Sequence, residues 1–163
     1  MDTLHLITTG GTLDKRYNPL TGTLDIGDPV IVEILAQAGI APEAYTLSHC
    51  LRKDSLEIND EERVLLAAAV AGSSATRIVI THGTDTMGLS AACIDAQTTG
   101  KTVVLTGAMV PWHVAGSDAA FNIGAAFAAA GLLPPGVYIA MHGRALPYRN
   151  YVKDRSKGCF VES

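Results

Sequence analysis

The sequence predicts an α/β fold: a flavodoxin-like, three-layer α/β/α domain with a mainly parallel sheet of about five strands, spanning residues 1–163 as a single domain. Three observations predict it. Short apolar runs ending in hydroxyl-rich turns recur along the chain, alanine-rich stretches of helical length separate them, and no repeat or low-complexity linker interrupts the alternation. Parallel strands need right-handed crossovers, which place helices over both faces of the sheet.

Residues 3–8 alternate and turn apolar at Leu4, Leu6 and Ile7 before Gly10-Gly11 stops them, as in a strand feeding a tight turn. Residues 13–27 are polar, contain Asn18-Pro19 and Thr21-Gly22, and read as a loop or a frayed hairpin with a mobile tip. Asp28-Pro29 offers an N-cap and a preset first helical residue, and Val30, Ile31, Ile34, Leu35 and Ala38 then mark one apolar face up to Gly39. Residues 44–49 suit a second strand. Asn59, with Glu62 three positions on, resembles a capping box for a helix through Leu65, Leu66, Ala69 and Val70 that ends at Gly72. The apolar runs 77–80, 101–105 and 137–140, closing at Thr81, Thr106 and near Met141, suit strands buried on both faces. The alanine-rich stretches 86–97 and 118–130 supply helices that approach a sheet closely.

Composition narrows the function. With 12 Lys+Arg against 16 Asp+Glu, a net charge of −4 and no basic run, the chain lacks the attraction to phosphate on which nucleic-acid and anionic-membrane binding depends. Apolar residues make up 48% and charged residues 17%, which excludes disorder. No apolar stretch approaches the ~20 residues of a bilayer span, and Met1-Asp2-Thr3-Leu4-His5 lacks the regions of a signal peptide, so the expected location is cytoplasmic. Cys50, Cys93 and Cys159 are too few and too scattered for a disulfide framework or a CxxC site and read as buried free thiols, not reactive cysteines. His49 and His82 form no HxH or HxxxH pair, so neither a metal nor a cofactor is expected. His113, beside Trp112, either rims a pocket or packs in a surface loop or a subunit contact.

In open parallel sheets, ligands bind beyond the carboxyl ends of the strands. Those ends carry Thr8-Thr9-Gly10-Gly11-Thr12, Lys53-Asp54-Ser55, Thr81-His82-Gly83-Thr84-Asp85-Thr86 and Thr106-Gly107, with Lys153 beyond the last strand. The glycine turn lacks the lysine of GxxxxGK[ST] and the spacing of GxGxxG, which weakens a nucleotide reading. Thr12 suits a nucleophile flanked by N–H groups that stabilise an oxyanion, or a capping threonine in a structural turn; the turn alone leaves both open. A threonine hydroxyl needs a base, and Lys153 serves Thr84 if it packs there with Asp85 close by. On composition alone, Lys153 is a solvated surface residue.

Taken in order, these residues resemble the bacterial-type L-asparaginase and glutaminase amidohydrolases, specifically their N-terminal catalytic domain. Thr9-Gly10-Gly11-Thr12 matches the family's TGGT signature, and His82-Gly83-Thr84-Asp85-Thr86 its HGTDT signature. Thr106-Gly107-Ala108-Met109 with Pro111, then Asp118 and Phe121-Asn122, match its TGAM segment and following helix. The resemblance implies hydrolysis of L-asparagine, with some action on L-glutamine, through a covalent acyl-enzyme. Thr12 would be the nucleophile, assisted by Tyr17 as the loop tyrosine that closes over the substrate. Thr84, Asp85 and Lys153 would form a second catalytic triad. Substrate binding would fall to Gly11, Asp54, Ser55, Gly83, Thr84, Asp85 and Ala108, with Ser55 on the α-carboxylate and Asp85 on the α-amino group. No cofactor is implied, and a homodimer or homotetramer is.

Full-length members add a smaller C-terminal domain that contributes a residue to a neighbouring subunit's substrate-binding site; ending at Ser163, the chain is similar to short-chain asparaginases. Gly88-Leu89 stands where full-length members often carry acidic residues, and Leu56 where some carry a polar substrate contact. Fewer contacts to the substrate imply a slow or high-KM enzyme. The competing readings are another amidase, including an ammonia-supplying subunit, and a non-catalytic amino-acid-binding module. Thr12, Thr84, Asp85 and Lys153 together argue against the module, because a pure binder needs no activated nucleophile.

Overall fold

The structure is a computed structural model that describes residues 3–163. Strand β1 (Leu4–Gly10) leads through a short 3-10 turn (Thr12–Asp14) into a hairpin of β2 (Lys15–Asn18) and β3 (Thr23–Ile26). Helix α1 (Ile31–Gln37), strand β4 (Tyr45–Lys53) and helix α2 (Asp60–Gly72) follow. Next come β5 (Arg77–Thr81), α3 (Met87–Gln97), β6 (Thr102–Thr106), α4 (Ala119–Leu132) and β7 (Gly136–Met141). The chain closes with β8 (Arg144–Pro147) and a second hairpin, β9 (Tyr151–Asp154) with β10 (Cys159–Glu162).

The central sheet runs β4-β1-β5-β6-β7-β8. Its first five strands are parallel in the flavodoxin-like order, and β8 adds a sixth, antiparallel edge to the five expected. Within each continuous apolar run, alternate residues serve opposite faces. Leu4, Leu6, Val79, Val104, Tyr138 and Ala140 pack with α1 and α4, while Ile7, Ile78, Ile80, Val103, Leu105 and Ile139 pack with α2 and α3. A run buried on both faces therefore shows no polar alternation in sequence.

Three boundaries differ from the sequence reading. The second strand reaches Lys53, because β1 keeps pairing with it to Gly10↔Lys53 past an irregularity at Thr8/Gly10. Helix α1 starts at Ile31 instead of Pro29: the Asp28 carboxylate accepts from Arg52 at 3.0 Å, and Asp14 Oδ1 accepts from the Val30 N–H at 2.9 Å. The cap thus comes from a residue remote in sequence. Residues 13–27 form a definite hairpin, whose tip residue Leu20 stands 94% exposed. The capping box at the start of α2 forms as expected, Asn59 accepting from the Glu62 N–H at 2.9 Å and Glu62 from the Asn59 N–H at 3.1 Å.

Candidate active site

The carboxyl ends of β1, β4, β5 and β6 meet because their loops touch backbone to backbone. Gly11 has φ +92°, and a β-carbon there would collide with the Gly83 amide nitrogen and lie 2.6 Å from its Cα. A β-carbon on Gly83 would lie 2.6 Å from Ser55 Cβ. The glycines of both turns are therefore required by contact: they let the first loop lie on the third and the third on the loop carrying Ser55. The Gly11 N–H also donates to the Lys53 carbonyl at 2.9 Å. Thr12 follows at once, half-buried, at the start of a turn whose next two side chains, Leu13 and Asp14, are buried. Gly11 occupies the cap position and makes no side-chain hydrogen bond, so Thr12 is not a capping threonine.

Thr84 is buried, and Lys153 Nζ donates to its Oγ1 at 2.7 Å and to Asp85 Oδ1 at 2.9 Å. Lys153 is thus not a solvated surface lysine; its side chain is 14% exposed. The closing hairpin holds it there. The buried Tyr151 donates its hydroxyl to the Met141 carbonyl at 2.8 Å and packs against Phe160 with ring centroids 5.5 Å apart. Just before the hairpin, Arg149 donates to Asp95 of α3 at 2.9 Å. From the turn of the same hairpin, Arg155 reaches Asp85 Oδ1 at 3.4 Å.

Ser55 is 1% exposed, and its hydroxyl has no hydrogen-bond partner among the described residues. Beside it, the Asp54 carboxylate accepts from Lys15 at 2.8 Å and from the Leu56 N–H at 3.1 Å; the Lys15 contact holds it below the usual carboxylate range. Thr86 donates to the Ser55 carbonyl at 2.7 Å, a second tie between these loops. The fourth loop is fixed from α4. Asp118 accepts from the N–H groups of Met109 and Val110, and the buried Asn122 donates to the Gly107 carbonyl at 3.0 Å.

Two of the anticipated residues fit less directly. Ala108 directs its side chain into the core beside α4, which leaves only its backbone to face a ligand. Tyr17 sits on β2 opposite Leu24 and is 66% exposed, the exposure of a side chain in solvent, not one closed over a turn. His113 lies 3.5 Å from Glu33 of α1, while Trp112 packs on the α1 and α4 core, so the pair belongs to that face. Lys15, Asp14 and Arg155 were not singled out in the sequence. Lys15 and Arg155 sit in polar hairpins that give a sequence no reason to prefer one cation over the next.

Two buried groups are strongly perturbed. His82 is completely buried, with Nδ1 2.7 Å from the Gly83 carbonyl and Nε2 2.8 Å from Ser90 Oγ, and burial pushes it down to about 4. It is a neutral strut beneath the third loop. Burial pushes Asp14 up to about 6, opposed by the Val30 N–H, and its Oδ2 has no partner among the described residues. The three cysteines are free but half-buried, not buried as the sequence suggests, and no cluster of three or more His, Cys, Asp or Glu that could hold a metal occurs among the described residues.

The profile of the family "Asparaginase, N-terminal" matches residues 3–159. A subunit of the glutamyl-tRNA(Gln) amidotransferase of Methanococcus maripaludis is 32% identical over 149 residues, covering 86% of this chain and 35% of that protein. Its counterpart in Pyrococcus abyssi, bearing the same name, is 33% identical over 148 residues, covering 85% and 33% respectively. Among solved structures, the thermostable L-asparaginase from Thermococcus kodakarensis superposes with a TM-score of 0.83 at 29% identity, over 98% of this chain and 51% of that one. A probable cytoplasmic L-asparaginase from Campylobacter jejuni gives 0.84 at 26% identity, over 99% and 53%. The chain thus spans about a third of the length of these curated relatives and about half of these two structures. By the extent of the match and the two interlocked turns, the chain belongs to the asparaginase N-terminal family.

Proposed function

We propose that the chain is the catalytic unit of an amidohydrolase that converts L-asparagine to L-aspartate and ammonia, with a high KM and no metal or cofactor. The observation that carries the proposal is Lys153 seated on both Thr84 and Asp85, which gives a buried hydroxyl a lysine partner and the lysine an orienting carboxylate. Thr12 Oγ1 adds to the carboxamide carbon, and the proton it loses passes to the carboxamide nitrogen. When the tetrahedral oxyanion collapses, the C–N bond breaks and the nitrogen leaves as ammonia carrying one added proton. A β-aspartyl ester remains on Thr12. Water then loses a proton through Thr84 Oγ1 to Lys153 in its neutral amine form and adds to the ester carbon; the C–O bond to Thr12 breaks, Thr12 Oγ1 takes that proton back, and aspartate is released.

Backbone N–H groups of the two glycine turns, apart from that of Gly11, which donates to the Lys53 carbonyl, are suited to holding the oxyanion. The unpartnered Ser55 hydroxyl is suited to donating to the substrate carboxylate, with Asp54 fixing its loop. Asp85 and the Ala108 backbone complete the binding contacts, and Tyr17 reaches Thr12 only when the β2–β3 hairpin closes. The working form is a cytoplasmic homodimer or homotetramer acting on a free amino acid.

A second reading has its own support, because the curated relatives of about 32–33% identity are amidotransferase subunits. In that reading the same steps release ammonia for a partner enzyme. Ammonia release over millimolar L-asparagine, L-glutamine and D-asparagine, with Thr12→Ala as the blank, tests the first reading. Release from L-asparagine that vanishes in the blank supports it. Release that persists in Thr12→Ala removes Thr12 from the chemistry, and release that appears only with a copurified second protein favours the amidotransferase reading.

A further inference from the structure

The Ser55 hydroxyl, suited to receiving a substrate carboxylate, has an anion for a neighbour. Asp54 directly precedes it, so the two side chains' oxygens stand within about 10 Å of each other, one Debye length at 0.1 M salt. The carboxylate is pinned there: Oδ1 accepts from the Leu56 N–H at 3.1 Å and caps the 3-10 turn Ser55–Glu57 that carries the hydroxyl. Left uncompensated, this charge repels a ligand carboxylate arriving at Ser55.

Oδ2 is met by Lys15 Nζ at 2.8 Å, the side chains of the pair being 24% and 30% exposed. Lys15 reaches it from the opposite wall, one residue past the turn Thr12–Asp14 that holds the nucleophile. The pair sits in a cleft of about 370 Å³ whose other charged residues are Arg52, Lys53, Asp25 and Glu57. Neither of those cations is spare, since Arg52 donates to Asp28 at 3.0 Å and Lys53 to Glu62 at 2.6 Å. Asp25 accepts from Asn18 at 2.7 Å and from Thr23 at 2.8 Å within its own hairpin, and Glu57 is exposed. Lys153 acts on Asp54 from farther off and is itself seated on Asp85. Lys15 is thus the cation in contact with Asp54.

Resting on the catalytic reading above, we infer that Lys15 is a positioning residue for the substrate carboxylate: by neutralising Asp54 it keeps the Ser55 turn receptive to an anion. It touches no reacting atom, and the carboxylate it serves is held alike in substrate and transition state, so its effect falls on KM.

The test reads binding and turnover separately. At low salt, Lys15→Met should raise KM for L-asparagine roughly fivefold and weaken calorimetric binding of L-aspartate by the same factor, with kcat within about twofold of the wild type. Lys15→Arg, which keeps the charge, should shift either quantity less than twofold. Asp54→Asn retains an oxygen to cap the Ser55 turn and removes the charge; added to Lys15→Met, it should recover at least half of the lost affinity. A lysine that only braces the hairpin predicts the opposite, a double variant no better than Lys15→Met. That result, a shift below twofold in Lys15→Met, a loss confined to kcat, or no binding of L-aspartate by the wild type would overturn the inference. The same order of L-aspartate affinities, with no ammonia released from L-asparagine, would leave the inference standing and sink the catalytic reading instead.

Discussion

Among single residues, Lys153 carries the most weight in the proposed chemistry and is the hardest to place from composition. A lysine ten residues from the last position of the sequence has the character of solvated surface, and only the order of motifs before it suggested otherwise. Lys153→Ala should lower kcat at least a hundredfold while circular dichroism stays that of the wild type. Lys153→Arg should fail to restore it, because a guanidinium keeps the charge but does not give up its proton. Wild-type turnover in either variant would remove Lys153 from proton transfer. Asp14 could not be read as buried, since it lies in a polar stretch and its partner is the start of a helix sixteen residues on. Thr12, Thr84 and Asp85 are legible as candidates because they sit on turns that close buried strands, whereas Ser55 follows a half-exposed edge strand and is legible only through the order of the motifs around it.

At the scale of elements, the two glycine turns and the closing hairpin decide whether those residues meet. The sheet order was readable because β-branched runs and alanine-rich helices alternate without interruption. The antiparallel edge β8 and the β9–β10 hairpin were not, being short, polar and dependent on what they dock against. Gly11→Ala should test the turns, since the new methyl meets backbone that cannot yield and φ +92° is unfavourable for any residue with a β-carbon. A loss of more than about 2 kcal/mol in urea unfolding is expected; an unchanged midpoint would show that the loops part without cost. Tyr151→Phe removes the hydroxyl that donates to the Met141 carbonyl and should cost about 1 kcal/mol. It should lower kcat by more than the stability loss explains if the hairpin is what seats Lys153.

Across the whole molecule, the two strongly perturbed buried groups act in opposite directions with pH. Asp14 is raised to about 6, so the stability associated with its protonated form is present below its ordinary range near 3.8 and is lost as pH rises through 6. His82 is lowered to about 4, so the stability associated with its neutral form is present above 6.5 and is lost as pH falls toward 4. Each spans roughly two pH units, worth about 3 kcal/mol, over nearly the same window, and they largely cancel. Asp14→Asn keeps the oxygen that caps α1 and removes only the titration. Unfolding free energy should then rise by about 3 kcal/mol between pH 4 and pH 6.5 in the variant, against a nearly level wild type; parallel profiles would show that Asp14 is not a buried acid. Covalent catalysis at Thr12 is the claim on which the functional account rests. Its most direct measurement is intact and peptide mass spectrometry of the full chain, acid-quenched during turnover of L-asparagine. The account predicts a β-aspartyl adduct on the peptide containing Thr12, absent in Thr12→Ala; ammonia release without any adduct, undiminished in Thr12→Ala, would contradict it.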